Sequence, residues 1–160
     1  MPPFPRYAPL LVALAVLAPA AAAATGDSPP PPRTLRQAVD DGAALFAHAR
    51  FGSTRSYTPL DGFNPRPLTC EACHSAGGVG PGHTPSGMTL PSLQGAAARF
   101  PQLRGGHVVT LEQQIAHCIA GGLGGQPPAA GSAAMTDLVA YLSALSRGRP
   151  FAPQLPAPPR

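Results

Sequence analysis

One five-residue segment, CEACH at residues 70–74, restricts the possible folds of this 160-residue chain more than any other feature. Cys70 and Cys73 are three positions apart, so on a helical turn both thiols face the same way, and His74 follows directly. A redox site with this spacing needs a βαβ context, and a zinc site needs two more ligands at matching spacing. Neither pattern is evident in the rest of the sequence.

The spacing C-x-x-C-H is instead the attachment pattern of c-type haem. Each thiol adds to a vinyl group of the haem, and the adjacent histidine binds the iron. The chain is therefore expected to fold around one covalent haem c, bound through Cys70 and Cys73, with His74 as the proximal iron ligand.

The distribution of proline, alanine and charge divides the chain into four parts. Residues 1–24 contain one positive charge (Arg6), an apolar run over residues 8–18 and a small-residue end, the pattern of a secretory signal peptide. Residues 25–33 and 150–160 are proline-rich and are expected to be a linker and a C-terminal tail. Residues 34–149 are expected to form one cytochrome c domain.

The signal peptide predicts export to the periplasm, which fits covalent haem because bacteria attach it outside the cytoplasm. An uncleaved membrane anchor is the alternative, but the apolar run is short for a span of about 20 residues, and no stable span is expected after cleavage. The formal net charge is +4, and the positive charges are scattered arginines with no basic stripe. This pattern argues against nucleic acid binding.

Three segments have helical periodicity, and no strand pattern is evident. Residues 34–50 and 110–121 each begin with a threonine followed three positions later by a glutamine, the spacing of a capping box. The third helix is expected to begin after Ser132 and to end at Gly148. Residues 51–69 and 75–95 are rich in turn-forming residues and are expected to be loops. The predicted fold class is all-α, with three main helices around one haem.

The second axial ligand of the iron is less clearly indicated. Residues 122–132, where a methionine often precedes proline in small cytochromes, contain none. Cys118 lies on the apolar face of the second helix, and a thiolate is a good haem-iron ligand. Its neighbour His117 is rotated about 100° away and is expected to face elsewhere. Buried free cysteines are also common as inert core residues. The remaining candidates, each with an ordinary packing or surface role as the alternative, are Met88, Met135, His83 and His107.

Segments beyond the CEACH motif support a family. GAALF in the first helix, LPSLQG after the motif and DLVAYLSALS in the last helix resemble the class I cytochrome c fold. That resemblance implies that the first and last helices cross closely, with Gly42 as the small residue against Tyr141. It also implies that Phe46 and Leu142 pack against the haem edge.

Three longer segments resemble a narrower group of proteins. LTCEACHSAGG, ARFPQLRGGHVVTLEQQIAHC and SAAMTDLVAYLSALSRGRP are similar to a haem domain of thiosulfate dehydrogenases and of SoxA-type sulfur-oxidation cytochromes. The resemblance covers about residues 42–150. It implies that Cys118 binds the iron opposite His74, with its sulfur where thiosulfate or a sulfur-bound carrier reacts.

The chain departs from that group at identifiable positions. Thiosulfate dehydrogenases typically have an arginine four residues before the cysteine, and this chain has Gln114. A neutral amide binds an anion less well than a guanidinium does. The arginine of the FPxxR stretch is present as Arg104. Two roles remain open for this residue, anion binding and solvated surface charge. The chain has one C-x-x-C-H motif, so any catalysis would need a partner haem.

These features favour an exported monohaem cytochrome that transfers electrons in periplasmic sulfur-compound oxidation. The alternative is a catalytic haem subunit that oxidises thiosulfate or a related compound, with Cys118 and Arg104 at the reacting site. A haem-based sensor is a third hypothesis, supported only by the unusual ligand. The expected partners are a redox protein, which a second cytochrome could supply, and, for the catalytic alternative, thiosulfate or a sulfur-carrier protein.

Overall fold

A computed structural model describes residues 33–52, 68–84 and 86–153 of the chain. The expected signal peptide, most of the linker and most of the C-terminal tail lie outside the described residues, as does most of the loop predicted at residues 51–69. Within these ranges there are three α-helices: α1 (Leu35–His48), α2 (Leu111–His117) and α3 (Ala133–Leu145). No helix within the described ranges is both long and apolar enough to cross a membrane.

Side chains at the helix starts stabilise α1 and α2 as the sequence predicts. Thr34 and Gln37 form a reciprocal capping box, in which each side chain accepts a hydrogen bond from the backbone of the other. Thr110 and Gln113 do the same at the start of α2. Ser132 caps α3 by accepting from the backbone N–H of Met135. The predicted starts of all three helices are therefore confirmed.

The second helix departs from the prediction of a regular helix over residues 110–121. The α-helical part ends at His117, and a π-helical turn, Cys118–Gly122, follows. The N–H of Cys118 is shared between the carbonyls of Gln114 and Ile115. π-Helical turns are rare in proteins, and those that do occur are often at functional sites.

Helices α1 and α3 cross in close contact at Gly42. A Cβ atom at this position would lie 2.0 Å from the carbonyl oxygen of Asp137 and 2.8 Å from the Cβ of Tyr141. Only glycine therefore allows the two backbones to approach this closely. The expected role of Gly42 at the crossing is confirmed.

The expectation that the chain has no strands is wrong. The described part of the chain contains two short antiparallel sheets, β1 (Gly82–His83) with β2 (Thr89–Leu90) and β3 (Gln102–Arg104) with β4 (His107–Val109). Strands of two or three residues are too short to show an alternating pattern, so periodicity could not detect them. The domain is therefore mostly helical with some strands, rather than all-α.

The second sheet did leave a signal in the sequence. A two-residue Gly-Gly loop joins Arg104 to His107, and both Gly105 and Gly106 have positive φ, at 56° and 81°. Two-residue hairpin loops favour such conformations, and a Gly-Gly pair between short apolar runs is a hairpin signal.

The hydrophobic core lies where the helices meet. It contains buried side chains from α1, from α2 with its π turn, and from α3: Phe46, Ile115, Ile119, Leu123, Met135, Leu138 and Leu142. One side of this core forms the wall of a cavity, which positions the candidate site.

Candidate functional site

A cavity of about 730 Å³ lies between the CEACH turn, α2 and the core. This volume falls within the range of about 300–1,000 Å³ that is usual for ligand and cofactor sites. Apolar side chains form most of its wall, and a small number of polar groups face it. The predicted site residues that border it are Cys70, Cys73, His74, Cys118 and Arg104.

The CEACH segment forms one tight turn at the cavity. Residues Cys70–Ala72 are a 3₁₀ turn capped by the Thr69 side chain, and the N–H of His74 reaches back to the carbonyl of Cys70 at 3.0 Å. The first strand braces the other side of this turn, since the N–H of His83 donates to the carbonyl of Cys73 at 3.0 Å. The motif therefore presents two thiols and an imidazole to one cavity.

The two motif thiols differ from those of a redox C-x-x-C pair. Burial, together with the nearby Cys118 thiol, raises the pKa of Cys70 to about 12. The same two causes raise the pKa of Cys73. Reactive redox cysteines have lowered pKa values, because the thiolate is the attacking form. Cys70 and Cys73 are also unpaired with each other. The direction of these pKa shifts is opposite to that of a reactive redox pair.

The imidazole of His74 is held in a form suited to metal binding. Burial lowers its pKa, which favours the neutral ring that metals require. Phe46 packs against it, with the ring centroids 6.4 Å apart. Within the described part of the chain, the buried Nδ1 of His74 has no hydrogen-bond partner. A neutral, partly buried imidazole beside two thiols is the form in which histidine binds haem iron.

Cys118 lies at the junction of α2 and the π turn, and it borders the cavity. It is exposed rather than buried, in contrast to an inert core cysteine. The Nε2 of Gln114 donates a hydrogen bond to its sulfur at 3.2 Å. His117, which was expected to face elsewhere, also borders the cavity.

Arg104 lies at the same edge of the cavity and is bound to two glutamines. Its Nη1 donates to the Oε1 of Gln114 at 2.7 Å. Its Nε and Nη2 donate to the Oε1 of Gln102 at 3.0 and 2.8 Å. Gln102 is buried and was missed by the sequence analysis. The sequence did contain a signal for Gln102, because it lies two residues before Arg104 and residues at this spacing on a strand share a face.

The other candidate iron ligands lie elsewhere. Met135 is buried in the core at 1% exposure, and Met88 is 64% exposed, and neither borders the cavity. His83 and His107 are exposed on short strands and are likewise absent from the cavity wall. The structure therefore brings only Cys118, of the sulfur ligands considered for the second axial position, to the cavity that contains His74.

The residues present fit a covalently bound haem. Two thiols, a neutral imidazole and a third sulfur border one largely apolar cavity. Phe46 and Leu142, the residues expected at the haem edge, form part of its wall. Two thiols that can bond to the vinyl groups and an imidazole that can bind the iron, beside an apolar chamber, fit a c-type haem.

The cytochrome c domain model of the SoxA/TsdA family matches residues 63–151, which is more than half of the chain. The chain belongs to this family. It is therefore a c-type cytochrome domain, with covalently attached haem c and a role in electron transfer. The resemblance drawn from the CEACH segment and the last two helices is confirmed.

Two individual proteins are similar to the chain. A thiosulfate dehydrogenase of Allochromatium vinosum is 37% identical over 87 residues, which are 52% of this chain and 30% of that relative. A solved structure, the thiosulfate dehydrogenase TsdBA of Marichromatium purpuratum in its as-isolated form, is 24% identical, with a TM-score of 0.49. That alignment covers 76% of this chain and 25% of the other. The chain thus spans less than a third of the length of either protein.

Proposed function

We propose that this chain is an exported cytochrome of the class I fold that carries a single haem c and transfers electrons in periplasmic sulfur-compound oxidation. Cys70 and Cys73 would attach the haem, and His74 and Cys118 would occupy the two axial positions of the iron. The observation that carries the proposal is that Cys118 borders the same cavity as the CEACH turn.

The protein's own residues have distinct roles in this proposal. The haem, when bound, supplies a one-electron carrier. Phe46 and Leu142 would exclude water from the edge of the haem. A site with less water favours the oxidation state in which the haem and its ligands carry less net charge. The thiolate of Cys118 would donate electron density to the iron and lower its reduction potential relative to a methionine ligand.

The link to sulfur compounds and to the periplasm is supported by family membership and by the 37% identity to a thiosulfate dehydrogenase. The apolar run at residues 8–18 supports export. A monohaem carrier needs a redox partner, and a second cytochrome is the partner that we propose.

The test of the axial ligand is the low-temperature electron paramagnetic resonance spectrum of the ferric holoprotein. Thiolate-ligated low-spin haem gives a narrow spread of g values, distinct from the spreads of histidine–methionine and bis-histidine haem. We expect the narrow spread. A histidine–methionine spectrum would remove Cys118 from the iron and contradict the proposed ligand set.

A catalytic role is the second candidate, and the position of Arg104 favours it. Although the usual arginine is replaced by Gln114, the guanidinium of Arg104 reaches Gln114 from another element and so lies near Cys118. Guanidinium has five N–H donors, of which the described contacts use three. The remaining two could bind an anion such as thiosulfate.

Thiosulfate added anaerobically to the ferric protein separates the two candidates. Oxidation of two thiosulfate ions to tetrathionate releases two electrons, so one haem needs an added electron acceptor to sustain turnover. A carrier leaves the haem ferric and forms no tetrathionate, with or without an oxidised acceptor. Haem reduction and tetrathionate formation that are lost in Arg104→Gln but kept in Arg99→Gln would instead establish catalysis.

A further inference from the structure

A series of hydrogen bonds runs from the second sheet to the sulfur of Cys118. It begins at the buried amide of Gln102 on β3, passes through the guanidinium of Arg104 and the amide of Gln114, and ends at Sγ. The two glutamines are on different elements, so the series connects the sheet to α2. It lies at the edge of the cavity, beside the proposed axial ligand rather than within the core.

The chemistry of the donors fixes the direction of this series. A guanidinium has N–H donors and no acceptor, so the Gln114 atom that faces Arg104 must be the carbonyl oxygen. The amide nitrogen of Gln114 is then directed along α2 toward the residue four positions later, which is Cys118. A reversed amide would place two donors against each other and an acceptor against the sulfur.

Arg104 is itself held in place. Gln102 and Arg104 are two residues apart on β3, so both side chains lie on the same face of the strand. Two guanidinium nitrogens of Arg104 donate to the single Oε1 of Gln102, which is only 7% exposed as a residue. A buried acceptor of this kind restricts the guanidinium far more than solvent would.

We infer that Gln114 is a positioning residue that donates an amide hydrogen bond to the sulfur of Cys118, and that Arg104 sets the direction of this bond. The inference rests on the proposed function, in which Cys118 binds the haem iron as a thiolate. A hydrogen bond to the thiolate withdraws electron density from the sulfur and weakens its donation to ferric iron. Gln114 therefore raises the reduction potential of the haem and stabilises one orientation of the ligand.

The primary experiment compares the reduction potential and the ferric electron paramagnetic resonance spectrum of the wild-type holoprotein and Gln114→Leu. Leucine cannot donate to sulfur, so we expect a lower potential and shifted g values, with the thiolate still bound. Gln114→Glu keeps the size of the side chain and the contact with Arg104, but an ionised carboxylate has no N–H for the sulfur. It should also lower the potential, and it serves as the second variant if Gln114→Leu yields too little holoprotein.

Matched controls separate the hydrogen bond from simple charge effects. Gln94→Glu adds the same charge at an exposed glutamine that does not border the cavity, so its shift should be smaller than that of Gln114→Glu. Arg104→Met and Arg99→Met each remove one positive charge from the cavity wall, but only Arg104 contacts Gln114. We expect the larger decrease in potential for Arg104→Met.

The outcomes are distinguishable. An unchanged potential in Gln114→Leu, with the thiolate spectrum retained, overturns the role of Gln114 and leaves Cys118 on the iron. Equal decreases in the two arginine variants overturn the role of Arg104. A wild-type spectrum without thiolate ligation overturns the proposed ligand and, with it, the inference.

Discussion

At the scale of single residues, the environment of Cys118 distinguishes this site from an ordinary cysteine in a core. Free cysteines are usually buried and inert. Cys118 is exposed, borders the cavity with His74 and accepts a hydrogen bond from Gln114. A sulfur in these surroundings is available to bind a metal, and that availability supports the proposed axial role.

Replacing the proposed sulfur ligand, Cys118, gives the prediction that belongs to this scale. Cys118→Met should raise the reduction potential, because a neutral thioether stabilises ferric iron less than a thiolate does. The measurement is a spectroscopic redox titration of the two holoproteins. Met135→Leu, a change in the buried core away from the cavity, is the control and should shift the potential much less. An unchanged potential in Cys118→Met would mean that this sulfur is not bound to the iron.

At the scale of secondary-structure elements, the crossing of α1 and α3 holds one wall of the cavity. Gly42 allows the close approach, and Phe46, one turn later on α1, packs against both His74 and Tyr141. The hydroxyl of Tyr141 donates to the carbonyl of Gly77 at 2.6 Å, just after the CEACH turn. The crossing therefore fixes the position of His74 as well as the packing of the helices.

Because α1 and α3 are so close at Gly42, alanine at this position should have the opposite of its usual effect on stability. In an exposed helix interior, replacing glycine by alanine usually stabilises by about 1 kcal/mol. Gly42→Ala should instead destabilise the holoprotein by about 1–3 kcal/mol, because the new Cβ would overlap the backbone of α3. Denaturant unfolding measures the difference.

Ala44→Gly supplies the reference for helix propensity on the same helix, since Ala44 is exposed. It should cost about 1 kcal/mol, through propensity alone. A Gly42→Ala protein that is more stable than the wild type would show that α1 and α3 do not cross as closely as described.

At the scale of the whole domain, the cavity is assembled from segments far apart in the chain, from Phe46 on α1 to Leu142 on α3. An ion pair also joins the two ends of the domain. Arg33, just before α1, lies 3.0 Å from the carboxylate of Asp137 on α3 and also pairs with Asp41. The Asp137 side chain is only 6% exposed, so a partner for its charge matters more than at the surface.

Removing that partner should lower the thermal stability of the domain. Arg33→Met leaves the Asp137 carboxylate without its guanidinium and is expected to decrease Tm. Arg36→Met is the matched control, because Arg36 is 91% exposed and lies 3.9 Å from Asp40, which is itself exposed. Exposed pairs of this kind contribute little. Equal Tm values for the two variants would contradict a structural role for the Arg33–Asp137 pair.

The sequence alone determined the features that depend on local spacing. The haem-attachment pattern is contained in five residues. The helix starts at Thr34, Thr110 and Ser132 depend on side chains that bind the backbone three residues later. The small residue at the crossing is visible as Gly42. The proposed role of Cys118 also began with a local observation, the lack of a methionine between the last two helices. Each of these features depends only on contacts between residues close together in the chain, or on the identity of a single residue.

The tertiary structure alone decided which distant groups meet. The strands β1 to β4 are too short for periodicity, and the composition of the loop that joins β1 to β2 does not specify their pairing. The hydrogen bond from Arg104 to Gln114 joins a hairpin to a helix, and nothing in the spacing of these two residues indicates that they touch. Local hydrogen bonds are encoded within a few residues, whereas contacts between elements depend on how the whole chain packs around its cavity.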